Sequence, residues 1–221
     1  MIRSTMSPAQ VAALARKEVG QVVRHAETKH AALLQQCPPP DSKELLVRSG
    51  HCTTTKGIQW IYVITATQGR TTIYPLLWYP TTRGVCAMQV DAEGPASFFQ
   101  AHVMDRYLQR YLKGGTLMNA LREFHLHNYA KIFHPDDYKN NPHNYVAASD
   151  DGYVVGELQR EKALVYFRTF YDERAGKRRF GELRAALYWQ VVWHKVRLAR
   201  VPRRDTPHIA WGRGYDLKLA A

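Results

Sequence analysis

His102, Arg106 and Arg110 recur at four-residue steps inside the segment Gln100-Ala-His-Val-Met-Asp-Arg-Tyr-Leu-Gln-Arg-Tyr111. On an α-helix such a row shares one face, drifting by about 80° over two turns. It offers one imidazole and two permanent, fork-shaped cations. Cleaving a phosphodiester needs that set: a proton donor or acceptor, and guanidinium groups for an oxyanion. The same row, with Asp105 and Gln109 beside it and the apolar residues opposite, equally fits a plain solvated helix face. A second group is the histidine-rich stretch His125, His127, His134 and His143 with Asp136 and Asp137, residue types that ligate zinc and other divalent ions. His125 and His127 stand two apart on a predicted helix, about 200° from each other, so a shared ion is disfavoured and no metal site is assigned. HExxH, GxGxxG, GxSxG and P-loop patterns are absent, which leaves zincin, dinucleotide, serine-hydrolase and NTPase readings without local support. Cys52 follows His51 on a predicted strand, so the two face opposite ways and make a poor nucleophile–base pair.

The elements that must position these residues follow from periodicity. Residues 8 to 35 read as a helix, with Val11, Ala15, Val19, Val22, Val23 and Ala26 at three- and four-residue steps and Ser7-Pro8 as a start. The prolines of Cys37-Pro-Pro-Pro-Asp41 end it and mark a linker. Glu44 to Thr53, Gly57 to Thr67, Arg70 to Tyr79 and Gly84 to Asp91 read as an antiparallel meander, with Gln68-Gly69 as a hairpin turn. The period then changes. Ser97 to Lys113 reads as a helix stopped by Gly114-Gly115, and Thr116 to about Phe133 as another. A polar loop from Pro135 to Asn144 leads to strands at Tyr145 to Ser149, Tyr153 to Leu158 and Ala163 to Tyr171, with Asp150-Asp-Gly152 as a turn. A last helix is expected from about Lys177 to Arg200, closed by Pro202. The predicted class is α+β, in the order α-ββββ-αα-βββ-α. Residues 1–36 would form an N-terminal helix, 37–200 one α+β domain and 201–221 a basic tail. Whether the strands form one sheet or two stays open.

Charge points to a partner. The 221 residues hold 31 Lys+Arg against 19 Asp+Glu, a net charge of +12. Ten basic residues against one acid, Glu182, fall between Arg174 and Arg204, so this stretch carries about three quarters of the excess. Lys177, Arg178, Arg179, Arg184, Lys195, Arg197, Arg200, Arg203 and Arg204 are therefore the expected nucleic-acid-binding residues. A solvated basic face, or a patch for an anionic membrane surface, would have the same composition. An apolar fraction of 45% with 23% charged residues excludes a disordered chain. No stretch approaches the roughly eighteen consecutive apolar residues of a bilayer span. Met1 to Ser7 show no hydrophobic signal core. The cysteines, Cys37, Cys52 and Cys86, form no CxxC pair, and a reducing cytoplasm is the expected location.

The His102-x-x-x-Arg106-x-x-x-Arg110 helix, a second helix, a hairpin turning at Asp151-Gly152 and the strand Phe167-Arg168-Thr169-Phe170-Tyr171 follow one another in the chain. This order resembles the small toxin nucleases of the barnase–EndoU–colicin–RelE superfamily. The likeness is to branches with HxxxRxxxR on the first helix and Thr or Ser on the last strand, and it covers about residues 98–171. The chain departs from the pattern in its long loop from His134 to Tyr145, in the meander before the helix and in the basic helix after the last strand. The resemblance implies RNA cleavage without metal or cofactor, by attack of the neighbouring 2′-hydroxyl. His102 would transfer a proton, while Arg106 and Arg110 stabilise the developing charge. Thr169 and Tyr171 would share one side of the last strand and hydrogen-bond the phosphate. It also implies a possible antitoxin-like protein partner, and RNA in preference to DNA as target. The alternative is a nucleic-acid-binding protein of a mobile element or defence system, without catalysis.

Overall fold

Ser7 starts the first helix as a reciprocal cap: its hydroxyl accepts from the Gln10 amide, and the Gln10 side chain accepts from the Ser7 amide. Helix α1 (Pro8–Lys29) buries Val11, Ala12, Ala15, Glu18, Val22 and Ala26, a stripe at helical spacing. A break at His30 separates it from the short helix α2 (Ala31–Gln35), so the one helix expected over 8 to 35 is two. The computed structural model describes residues 2–3, 5–42, 44–90, 95–128, 132–135 (backbone), 143–149 and 151–172. The expected basic helix and tail, with all nine predicted nucleic-acid-binding residues, lie outside them.

The meander forms as β1 (Leu46–Thr53), β2 (Gln59–Thr67), β3 (Arg70–Thr81) and β4 (Gly84–Gln89), each antiparallel to the next. Gln68 and Gly69 both hold positive φ, 51° and 68°, as the tight hairpin turn between β2 and β3 requires. The chain then departs from expectation. Residues 97–99 are not the first turn of a helix; they belong to strand β5 (Ala96–Phe99), antiparallel to β4. Phe98 and Phe99 fit either period, but they are buried on opposite sides of the sheet, as strand neighbours are. Helix α3 (Ala101–Tyr107) follows and opens into a π-helical turn over Leu108–Leu112. Lys113, in the left-handed region at φ 58°, ends it. Helix α4 (Leu117–His127) is capped by Thr116, whose hydroxyl accepts from the Asn119 amide.

Another strand, β6 (Ile132–Pro135), takes residues expected to finish the second helix or to begin the polar loop. Next come β7 (Asn144–Ser149), β8 (Gly152–Gln159) and β9 (Leu164–Asp172). The nine strands among the described residues form one sheet in the order β1-β2-β3-β4-β5-β9-β8-β7-β6. The chain is therefore α+β with a single mixed sheet. Among the described residues the one parallel pairing, β5 with β9, joins the two antiparallel halves.

Each face of the sheet carries its own core. On one, α1 covers Trp60, Tyr62, Ile64, Leu77 and Met88. On the other, α3 and α4 press Val103, Met104, Tyr107, Leu121 and Phe124 onto Leu76, Phe99, Phe167 and Phe170. Burying both faces of a sheet this wide supplies the apolar contact that the alternating strands require. No described helix is long and apolar enough to cross a membrane.

Candidate active site

The helix row does not stay together. The Arg106 Nε–H donates to His102 Nε2 at 3.1 Å, and Arg106 Nη1 donates to Gln109 at 3.1 Å, so these residues form one surface cluster. Arg110 leaves it. The wider π turn rotates position 110 away from the α-helical row and over the end of the sheet. There Arg110 Nη1 donates to the Phe170 carbonyl at 2.6 Å, and its guanidinium lies 5.2 Å from the centre of the Tyr171 ring. Eight residues of helix separate His102 from Arg110 by about 12 Å along the axis. His102 and Arg110 therefore sit in separate polar groupings.

A bulge in β9 moves the strand residues. Val155 pairs with Thr169 and Gly156 with Phe167, which leaves Arg168 as the extra residue. Val165 and Phe167 point to the helix side, and strict alternation would send Thr169 and Tyr171 there too. After the bulge Phe170 takes that side instead. Thr169 alternates with Phe170, so it lies on the opposite side of the sheet and does not join His102. Tyr171, at the strand end, reaches Arg110. Arg168 pairs with Glu157 across the hairpin.

The densest polar grouping forms around a different residue. Asp151, at the turn between β7 and β8, is only 8% exposed. Its Oδ2 accepts from the Tyr107 hydroxyl at 2.6 Å, from Asn128 Nδ2 at 2.9 Å and from His127 Nδ1 at 3.2 Å. The Asp151 amide donates back to Asn128 Oδ1 at 3.1 Å. Since a carboxylate only accepts, His127 carries a proton on Nδ1 and turns Nε2 outward. Glu123, one turn earlier on α4, places Oε2 at 3.6 Å from that nitrogen. The His127 side chain is 39% exposed, so the imidazole is anchored inside and open to solvent outside.

Two tyrosines complete the wall. Tyr107 and Tyr111 stack with centroids 5.0 Å apart, and the Tyr111 ring meets His127 edge-on at 6.4 Å. Burial, reinforced by the hydrogen bond to Asp151, pushes the Tyr107 phenol far above its ordinary range. Burial, with the Asp151 carboxylate second, pushes Tyr111 up to about 12. Both stay protonated at neutral pH. The arrangement places an oriented imidazole and a held carboxylate where α3, α4 and the β7–β8 turn converge, with the Arg110 guanidinium held at the end of β9.

The residue types alone left this site hidden. Asp151 read as a turn residue, and Tyr107 and Tyr111 as core. His127 was grouped with His125, yet His125 is fully buried and its Nε2–H donates to the Tyr74 carbonyl at 2.8 Å. Asp136 and Asp137 lie outside the described residues, as does the side chain of His134. Among the described residues no three ligand-type side chains gather as a metal site. The available signal was Tyr107 and Tyr111 at i, i+4, each carrying a hydroxyl on a face that otherwise needs none. Comparison of the chain with protein families, with curated proteins and with solved structures finds no match.

Proposed function

We propose that this protein is a metal-independent ribonuclease whose proton-transfer residue is His127. The observation that carries the reading is the His127–Asp151 pair: a mostly buried carboxylate fixes the imidazole's tautomer and leaves Nε2 facing solvent beside Tyr111. In the reaction the 2′ oxygen bonds to phosphorus while Nε2 of His127 takes the 2′-hydroxyl proton. The P–O5′ bond then breaks and the proton returns to the 5′ oxygen, giving a 2′,3′-cyclic phosphate and a 5′-hydroxyl. Arg110, at the same end of the sheet, stabilises the extra negative charge. His102 and Arg106 hold a neighbouring phosphate along the strand. Net charge supports the polyanionic substrate: the basic run begins at Arg174, two residues beyond the end of β9 where Tyr171 meets Arg110. An antitoxin-like partner that binds the basic run belongs to the same reading.

The test is cleavage of single-stranded RNA in EDTA, with products resolved by end-group chemistry. Wild type is expected to leave 2′,3′-cyclic phosphate ends, and His127→Ala to cut at least a hundredfold more slowly while remaining folded. Undiminished cleavage by His127→Ala sinks the assignment. Intact RNA at high protein concentration, with binding retained, favours the second reading. That reading is a nucleic-acid-binding protein in which Asp151, satisfied by three donors, merely pins α3 and α4 to the β7–β8 turn.

A further inference from the structure

A groove of about 270 Å³ runs along the edge of the sheet between β1 and α4. Its floor is Ile61 and Val63, whose partners on the edge strand are His51 and Ser49. Arg122, Glu123 and Leu126 of α4 form the opposite wall. Apolar, branched side chains below and hydrogen-bonding groups of both polarities on the rim suit a flat heterocycle with a polar edge. Seating a base between the β1 and α4 walls takes its faces out of a stack, so an unpaired, unstacked base fits and a duplex does not. Glu123 also belongs to the candidate active site, since its carboxylate stands 3.6 Å from His127 Nε2. The groove and the imidazole are thus adjacent along one helix.

We infer that this groove is a subsite for one unpaired nucleobase, which seats a ribonucleotide of single-stranded RNA so that its phosphate reaches His127. This rests on the ribonuclease reading and names the substrate class of that site. Glu123 accepts an N–H from the base edge, the Ser49 hydroxyl donates or accepts beside it, and Arg122 faces the sugar-phosphate. The carboxylate and hydroxyl on the rim favour a base whose edge carries the matching donor.

Titration of the full chain with the four 3′-mononucleotides, followed by NMR or calorimetry, tests the subsite apart from catalysis. At least one nucleotide is expected to bind with a Kd below about 1 mM, and Ser49→Trp, which fills the groove from its exposed rim, to weaken it at least tenfold. Arg122→Ala, on an exposed helix position, should weaken it at least threefold and covers the case in which the tryptophan variant does not fold. Both variants should also cut RNA oligomers with a raised KM. Wild type that binds no mononucleotide, or variants that bind as tightly as wild type, overturns the subsite whatever the cleavage result. Binding that Ser49→Trp removes, from a protein that cuts no RNA, keeps the subsite and sinks the ribonuclease. A dimer that Ser49→Trp dissociates, without nucleotide binding, overturns the subsite in favour of strand pairing at the β1 edge.

Discussion

Asp151 holds three side-chain donors, and the consequences of changing each differ. Tyr107 lies fully buried with its hydroxyl spent on that carboxylate. Tyr107→Phe keeps the ring packed against Phe124 and Phe170 and removes one charge-assisted bond, so chemical unfolding should register a loss of about 1.5–3 kcal/mol. Asp151→Asn keeps the volume but can donate an N–H toward Nδ1, which selects the other imidazole tautomer. RNA cleavage should fall at least a hundredfold while the circular dichroism spectrum is retained. A second carboxylate, Glu18, lies 2% exposed on α1 and pairs with Lys56 at 2.8 Å. The hydrogen bond from Lys56 holds its carboxyl below the ordinary 4.5, with burial opposing and Thr54 assisting. A lowered pKa in the folded chain means that stability is full above about pH 4.5 and drains as pH falls through the folded value. The stability gap between wild type and Glu18→Gln, measured by urea midpoint, should therefore shrink as pH is lowered from 6 to 3.

At the scale of elements, two local irregularities decide what meets what. The π turn sends Arg110 to the Phe170 carbonyl, and the β9 bulge turns Phe170 inward and Thr169 away. Gly156 sits at the bulge, where an added Cβ would run into the Tyr166 carbonyl and crowd the Phe167 backbone. Gly156→Ala should cost about 1–3 kcal/mol in thermal or urea unfolding and also reduce cleavage, because the strand end that receives Arg110 shifts with it. These irregularities mark what the sequence leaves unread. The meander was legible because alternation, β-branched residues and a Gln68-Gly69 turn all agree over β1 to β4. Strand β5 was not, because Ser97-Phe98-Phe99 satisfies a helical row as well as a pleat, and pairing with the distant β9 decides the matter. The His102 row was legible as helix and misleading as a site: spacing presumes an unbroken 3.6-residue turn, and nothing in Leu108-Gln-Arg-Tyr-Leu112 announces a wider one. His127 and Asp151 come together across 24 positions, through the end of α4 and the pairing of β6 with β7.

For the whole molecule, charge and chemistry are separable. The described sheet and helices hold the candidate site, while about two thirds of the net charge lies beyond β9 in sequence. RNA affinity should therefore fall steeply with salt, and the joint substitution Arg178→Glu with Arg179→Glu should flatten the log–log slope by about 1.4, roughly 0.7 for each lost phosphate contact. The two covered faces of the sheet also explain why α1 is integral: without it Trp60, Tyr62 and Met88 would face water.

The parallel seam between β5 and β9 sets an order of assembly. β1 to β5 find their neighbours locally, as do β6 to β8, but the halves join only when β9 inserts between β5 and β8. On a ribosome, the first hundred residues emerge and pair well before β9 leaves the exit tunnel. The Phe170 carbonyl and Tyr171 ring that hold Arg110 are supplied by that strand alone. A nascent chain thus carries His127 and Asp151 before it can seat the guanidinium beside them. Closure of the seam is therefore the last pairing that completes the surroundings of the candidate site.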